Sequence, residues 1–312
     1  MNPTRIVACL AVAAAAAALT ACGSGDDGTG AGGPPRASSA GSAGSFTIVA
    51  AGDIAQCFDA PASASAAAKT AALVTPEDAL VLTLGDNAYP DGTPAEFANC
   101  FDPTWGRFKD RIRPTIGNHE IHTANAEGYF DYFGALAGPA RRAYYSFDLG
   151  GWHFIALNSL TDTSPGSEQY QWLIADLQNS RDKQCTIAYW HFPLFNSGAE
   201  HGSYPKMKAM FEALYNAGVE IVLVGDEHVY ERFAPQTADA VADPQRGVRQ
   251  FTVGTGGGTL YKFGPAVPNS EARIADTWGV LRLTLGEGRY GWQFLPAGGG
   301  AALDVGTDTC HH

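Results

Sequence analysis

The stretch ALVLTLGD (79–86) is a short β-rich run that stops on Gly85-Asp86. Two other segments repeat it, TIVAAGD (47–53) and EIVLVGD (220–226). Two more end on different donor types, RPTIGNHE (113–120) at Asn118 and His119, and TIAYWH (186–191) at His191. Runs of this length and composition read as buried strands. In open α/β sheets, chemistry gathers outside the carboxyl ends of the strands. Five strand ends therefore bring Asp53, Asp86, Asn118 with His119, His191, and Asp226-x-His228 to one place. Such a gathering is a metal site, and its donor number is that of a two-metal site.

Outward from these strands, helical segments are expected at 63–74, 93–101, 124–133, 167–179 and 204–217. In the last, Met207, Met210, Phe211 and Leu214 fall at i, i+3, i+4 and i+7, and Gly218 stands just past the end. Strands without candidate ligands are expected at 143–149, 152–158, 248–253, 278–285 and 290–295, the first two joined by a Gly150-Gly151 turn. The chain thus begins as alternating strand and helix and closes as a run of strands. That order predicts an α/β fold of two packed sheets with helices outside. The cluster TGGG (255–258) has neither the Lys-Ser/Thr of a phosphate loop nor a dinucleotide fingerprint, and reads as a flexible strand exit.

Residues 1–21 carry Arg5 followed by an Ala-rich apolar stretch, the pattern of a secretory signal. Leu19-Thr20-Ala21-Cys22 looks like a bacterial lipobox, which implies cleavage before Cys22 and lipid on its thiol. The alternative is a soluble secreted protein. Residues 22–44, rich in Gly, Ser, Ala and Pro, read as a tether, and 45–312 as one large domain, expected as a monomer. Membrane association would be by the lipid anchor only, at the outer face of the cell membrane. The net charge of −12, or −13 once Arg5 leaves with the signal, argues against a nucleic-acid partner. A small phosphorylated substrate stays compatible, because metal charge dominates within a site.

Cys9 leaves with the signal and Cys22 is the candidate anchor, so four cysteines remain for disulfides in an exported protein. Cys57 follows Asp53 at the ligand end of the strands. Cys185 opens the strand that His191 closes, about 20 Å away at ~3.3 Å per residue. These two are poor partners; of the two pairings that remain, Cys57 with Cys100 and Cys185 with Cys310 is the one expected, the second bond pinning the tail.

Within the cluster, Asp86 is the natural bridge, since a carboxylate can hold two cations. Asp53 and His228 could complete one site, Asn118 and His191 the other. Tyr89, three residues after Asp86, offers a phenolate that only a strongly Lewis-acidic ion such as Fe(III) keeps deprotonated at neutral pH. Each residue alone has a plainer reading: a helix cap, a turn, a packing aromatic, a core histidine. Joint occurrence at strand ends is what sets those readings aside.

GDIA (52–55), GDNAY (85–89), GNHE (117–120), YWHFP (189–193) and GDEHVYER (225–232) resemble the five motif blocks of calcineurin-like metallophosphoesterases, in family order. Tyr89, and the absence of a histidine shortly after Asp53, make the chain similar to the purple acid phosphatase branch. The resemblance implies a four-layer α-β-β-α sandwich and an Fe(III) paired with a divalent Fe, Mn or Zn. It implies that Asp53, Asp86, Tyr89 and His228 hold the ferric ion, and that Asp86, Asn118, His191 and residue 226 hold the divalent one. By the same match His119 contacts phosphate and His201 protonates the leaving group. His122, His153, His311 and His312 are read as non-ligands. The family's last block is Gly-His-x-His, whereas here it is Gly225-Asp226-Glu227-His228. A carboxylate at 226 favours harder ions such as Fe, Mn or Mg over Zn; the competing view is that it leaves the second site empty. The expected activity is acid-phosphatase-like hydrolysis of phosphomonoesters by a metal-bound hydroxide. The alternatives are a phosphodiesterase or nucleotidase with the same centre, and a surface lipoprotein weakened by Asp226 that serves in binding. Specificity is expected from the loops at 161–167 and 234–249.

Overall fold

The computed structural model describes residues 44–58 and 60–311; the expected signal, Cys22 and all of the tether but Gly44 lie outside the described residues, as does His312. Strands β1 (Phe46–Ala51), β2 (Asp78–Leu84) and β3 (Ile112–Thr115) run parallel, with Val49 opposite Val81 and Val81 opposite Ile112. The hairpin β4 (Tyr145–Leu149) and β5 (Trp152–Ala156) turns at Gly150-Gly151, as expected. Then follow β6 (Cys185–Tyr189), β7 (Ile221–Val224), β8 (Tyr230–Phe233), β9 (Arg249–Val253), β10 (Ser270–Ile274), β11 (Gly279–Gly286), β12 (Arg289–Pro296) and β13 (Asp304–Thr309). They form two mixed sheets, a six-stranded one in the order β13-β12-β11-β1-β2-β3 and a seven-stranded one in the order β10-β8-β9-β7-β6-β5-β4.

Side-chain alternation explains why the central strands read as unbroken apolar runs. Ile187 and Tyr189 of β6, with Ile221 and Leu223 of β7, enter the core shared by the two sheets. Their neighbours Ala188, Val222 and Val224 enter a second core with Leu173, Met210, Phe211 and Leu214. Strands buried on both faces lose the polar alternation of a surface strand. Those last residues belong to α4 (Glu168–Asn179) and α5 (Lys208–Asn216), the helical layer on the seven-stranded sheet. Ser167 caps α4 by accepting from the Tyr170 N–H at 3.1 Å. α5 ends as its sequence requires: Gly218 takes φ +80° and the Val219 N–H donates to the Leu214 carbonyl at 3.0 Å.

Against the six-stranded sheet lie α1 (Ala66–Ala71), α2 (Pro94–Glu96), which continues as a π-helical turn at Phe97–Phe101, and α3 (Glu127–Phe133). A capping box between Thr93 and Glu96 starts α2. Phe97, Phe101, Tyr132 and Phe133 pack mostly edge to face, with centroids 5.0–5.7 Å apart. Helix, sheet, sheet, helix is the α/β layering expected from the sequence. Disulfides join Cys57 to Cys100 and Cys185 to Cys310, with Cα atoms 5.9 and 5.7 Å apart. No helix among the described residues is long and apolar enough to cross a membrane.

One expectation is corrected. The segment 255–258 is not a flexible exit but buried and bonded: the Gly256 and Gly258 N–H groups donate to the carbonyls of Gly52 and Asp53 at 2.9 and 2.7 Å. A β-carbon at Gly256 would stand 2.4 Å from the Gly52 oxygen, so the glycines are there for close approach of two backbones.

Candidate metal centre

Each candidate donor stands just past a strand end. Asp53 follows β1, Asp86 follows β2, Asn118 and His119 follow β3, His191 follows β6, and Asp226 with His228 follow β7. Asp53, Asp86 and Asp226 all take left-handed backbone angles, with φ 59°, 49° and 71°. Aspartate tolerates that region better than most residues with a β-carbon. The preceding glycines matter through space. A β-carbon on Gly117 would lie 2.1 Å from Asp86 Oδ1, and one on Gly85 2.5 Å from His191 Nδ1. Gly-Asp and Gly-Asn at strand ends are thus what lets five chain segments meet.

At the centre stands the Tyr89 hydroxyl, 3.0 Å from Asp53 Oδ1, 3.1 Å from Asp86 Oδ2 and 3.0 Å from His228 Nε2. His191 Nε2 is 3.0 Å from Asn118 Oδ1, 3.4 Å from Asp86 Oδ2 and 3.6 Å from Asp226 Oδ1. Asp86 therefore borders both groups. Asp226 is tied in through its own N–H, which donates to Asp53 Oδ2 at 3.0 Å. The two imidazoles are oriented from behind. His191 Nδ1 meets the Leu84 carbonyl at 2.8 Å and His228 Nδ1 the Thr259 carbonyl at 2.6 Å, so both turn Nε2 inward. His119 is anchored by its N–H on Asp86 Oδ1 at 3.0 Å and by Nδ1 against the Pro90 carbonyl at 2.5 Å. Its Nε2 lies 3.6 Å from Asp86 Oδ2, on a partly exposed ring.

These residues suit cations. Asp53, Asp86 and Asp226 are buried, and among the described residues no Lys or Arg pairs with any of them. Asp226 Oδ2 is buried with no hydrogen-bond partner. Donor atoms of Asp53, Asp86 and His191 lie within 4.8 Å of one another. Histidine supplies the missing positive charge in part. Burial alone would raise Asp86, but His191 and His119 outweigh it and hold the carboxyl well below its usual range. Burial alone would lower His191, and Asp86 with its neighbours holds it well above. Burial, opposed by His191 and His201, pushes Asp226 up to about 6. Burial, reinforced by Asp53 and Asp86, keeps the Tyr89 phenol far above its ordinary value.

The structure adds residues that the sequence did not single out. Glu120, fully buried, accepts from the N–H groups of Asn87 (2.7 Å), Ala88 (3.2 Å) and Gly117 (2.8 Å), clamping the turns that carry Asp86 and Asn118. Burial, then the nearby Asp86 charge, pushes Glu120 up to about 8. Tyr261 stacks on His228 with centroids 4.1 Å apart and stands 5.6 Å from the His201 ring. His201 is exposed on the rim, outside the donor cluster. Glu120 was legible as the last residue of Gly-Asn-His-Glu; Tyr261 carried no signal.

The chain is similar to known proteins in sequence and in fold. A family model described as calcineurin-like phosphoesterase matches residues 46–230. Purple acid phosphatase 22 of Arabidopsis thaliana is 34% identical over 222 residues, covering 62% of this chain and 50% of the relative. Probable purple acid phosphatase 20 of the same plant is 34% identical over 163 residues, 44% and 38% of the two chains. The chain thus spans half or less of the length of these curated relatives. Among solved structures, the purple acid phosphatase PPD1 of yellow lupin (Lupinus luteus) seeds superposes with a TM-score of 0.67 at 19% identity, over 85% of this chain and 54% of that one. GAP50, the anchor in the inner membrane complex of Plasmodium, gives 0.64 at 13%, over 85% and 89%. At such identities the two structures speak to the fold alone.

Proposed function

The chain belongs to the calcineurin-like phosphoesterase family, and on that premise we propose that it is a binuclear-metal hydrolase of phosphate esters, of the purple acid phosphatase kind, acting on phosphomonoesters. The observation that carries the reading is the Tyr89 hydroxyl held at 3.0–3.1 Å from Asp53, Asp86 and His228. A phenol buried among two carboxylates and an imidazole has no need of that company for packing; it is a donor set for a hard trivalent ion. We assign Asp53, Asp86, Tyr89 and His228 to Fe(III), and Asp86, Asn118, His191 and Asp226 to a divalent Fe, Mn or Zn. The orphan Asp226 oxygen supports its place in the second set.

Two cations bound there would supply Lewis acidity to the phosphoryl group and an acidified water. The chain's own residues do the rest. Asp86, between both sets, fixes their spacing. His119, with its ring partly open and its backbone locked to Asp86, offers Nε2 as a donor to a phosphoryl oxygen. His201 on the rim delivers a proton to the leaving alkoxide. The two disulfides support export, and we infer a lipid-anchored or secreted monomer.

The test is to purify the chain aerobically, count metals and record its visible spectrum. Two metals per chain and a tyrosinate-to-ferric band that vanishes in Tyr89→Phe are expected. A colourless chain with less than one metal, inactive after iron or manganese addition, would return it to a binding role. Rates on nitrophenyl mono- and diesters separate phosphomonoesterase from phosphodiesterase.

A further inference from the structure

The loop at 196–201 ends on the candidate acid His201, and Glu231 accepts from its Ser197 N–H at 2.8 Å, but the His201 end rests on a different buried carboxylate. Glu227 has no exposed surface. Its Oε2 accepts from Asn196 Nδ2 at 2.8 Å and from the His201 N–H at 3.0 Å, and its Oε1 accepts from the Glu200 N–H at 3.2 Å. Asn196 closes the loop on itself, donating to the Gly202 carbonyl at 3.0 Å and accepting from the Gly198 N–H at 2.8 Å. Gly198 passes so close that a β-carbon there would stand 1.9 Å from the Glu227 carboxyl carbon. Among the described residues three donors and no Lys or Arg meet this carboxylate, so its hydrogen bonds all serve the loop. In the chain it lies between Asp226 and His228.

We propose that Glu227 is a positioning residue that couples the leaving-group acid to the metal centre. It holds the backbone of His201 against the segment that carries two of the candidate ligands, so that the rim histidine keeps register with the bound phosphoryl group. This rests on the role given to His201 above. A carboxylate suits the task because both oxygens accept. In Glu227→Gln one of them becomes an N–H donor facing other donors, at unchanged volume.

Two variants test this from opposite sides of the contact, Glu227→Gln and Gly198→Ala, with His201→Ala for calibration. The first measurement is amide hydrogen exchange in the metal-free protein, independent of catalysis. Exchange at 200 and 201 should quicken at least about 10-fold in both variants. The second compares phenyl phosphate, a poor leaving group, with 4-nitrophenyl phosphate, at metal contents equal to the parent. His201→Ala should lose on the order of 100-fold on phenyl phosphate and much less on the nitrophenyl ester. Glu227→Gln and Gly198→Ala should lose in the same direction, about 10-fold, chiefly in kcat. Unchanged amide exchange overturns the proposal. So does an equal loss on both esters in these variants while His201→Ala discriminates, which leaves the acid role standing. If His201→Ala itself fails to discriminate, the acid role falls and the coupling with it.

Discussion

Gly117 shows how little room the centre leaves. Its missing β-carbon would sit 2.1 Å from the Asp86 carboxylate, so Gly117→Ala must push Asp86, the proposed bridge, out of place. The cost falls on metal retention more than on folding, because both cores are untouched. We expect at least about 10-fold weaker metal affinity, the scale on which displaced supports of ligands act, read by metal analysis after dialysis against a chelator. Asp226→His tests the departure from the family block: it should raise zinc retention relative to iron and manganese, since imidazole is the softer donor. No change in metal content in that variant would remove Asp226 from the ligand set. At this scale the sequence was informative because the chemistry of strand ends is local. Gly-Asp announces a turn with a carboxylate, and its recurrence after apolar runs announces a shared site. What it concealed is how Asp226 and His228 converge. An extended segment would point both to one side, but Asp226 is left-handed and reaches the cluster by a turn, tied by its N–H to Asp53. Tyr261 was hidden for the opposite reason, since it comes from a loop whose sequence has no period and no motif.

Helix α4 is attached to its sheet by more than apolar contact. His153 of β5 places Nδ1 2.6 Å from Asp148 of β4 and Nε2 2.8 Å from Asp176 of α4, while Ser146 of β4 donates to the other Asp176 oxygen at 2.6 Å. Burial would lower the imidazole, but the two carboxylates outweigh it and hold it above the ordinary histidine value. A raised histidine contributes stability in full below its unfolded value of 6.5, and that contribution is lost as pH rises through the higher folded value. His153→Gln should therefore destabilise by on the order of 1 to 2 kcal/mol at pH 5.5, with the gap to the parent narrowing in alkaline buffer. Denaturant melts at the two pH values measure it; a gap independent of pH would show packing, not charge, at work. The sequence gives no hint of this latch, because its partners are 5 and 23 residues away and meet only when strand and helix pack. Element existence was legible where burial leaves many apolar residues, at helical spacing in α5 and in unbroken runs in the central strands. It failed at β10 and β13, whose alternating half-exposure in Ser-Glu-Ala-Arg-Ile and Asp-Val-Gly-Thr-Asp-Thr leaves few apolar positions to read. Pairing with β8 and β12 makes those edge strands, and pairing is not a local property.

On the scale of the whole molecule, two buried acids away from the metal centre bias stability toward low pH. Glu220, fully buried just before β7, lies beside the Cys185–Cys310 bridge and accepts from the Thr186 N–H at 2.6 Å and the His311 N–H at 3.4 Å. Burial outweighs those bonds and pushes it up to about 7, from 4.5 in the unfolded chain. Glu231, under Ser197, is raised by burial as well. A carboxyl whose folded value is raised holds its proton longer in the native state. Its favourable share is therefore complete below pH 4.5 and is lost as pH climbs to about 7. The raised His153 acts in the same direction over the next stretch of pH. Glu220 alone accounts for about 3 kcal/mol, because each tenfold change in proton affinity is worth about 1.4 kcal/mol. That is a large part of the roughly 5–15 kcal/mol that holds a domain folded. The neutral isostere isolates it. Glu220→Gln should match the parent at pH 4.5 and exceed it at pH 8 by up to about 3 kcal/mol, a rise of several degrees in Tm. Equal melting curves at both pH values would mean that Glu220 is ionised at little cost in the folded chain. The acid bias would then have to come from Glu231 and His153.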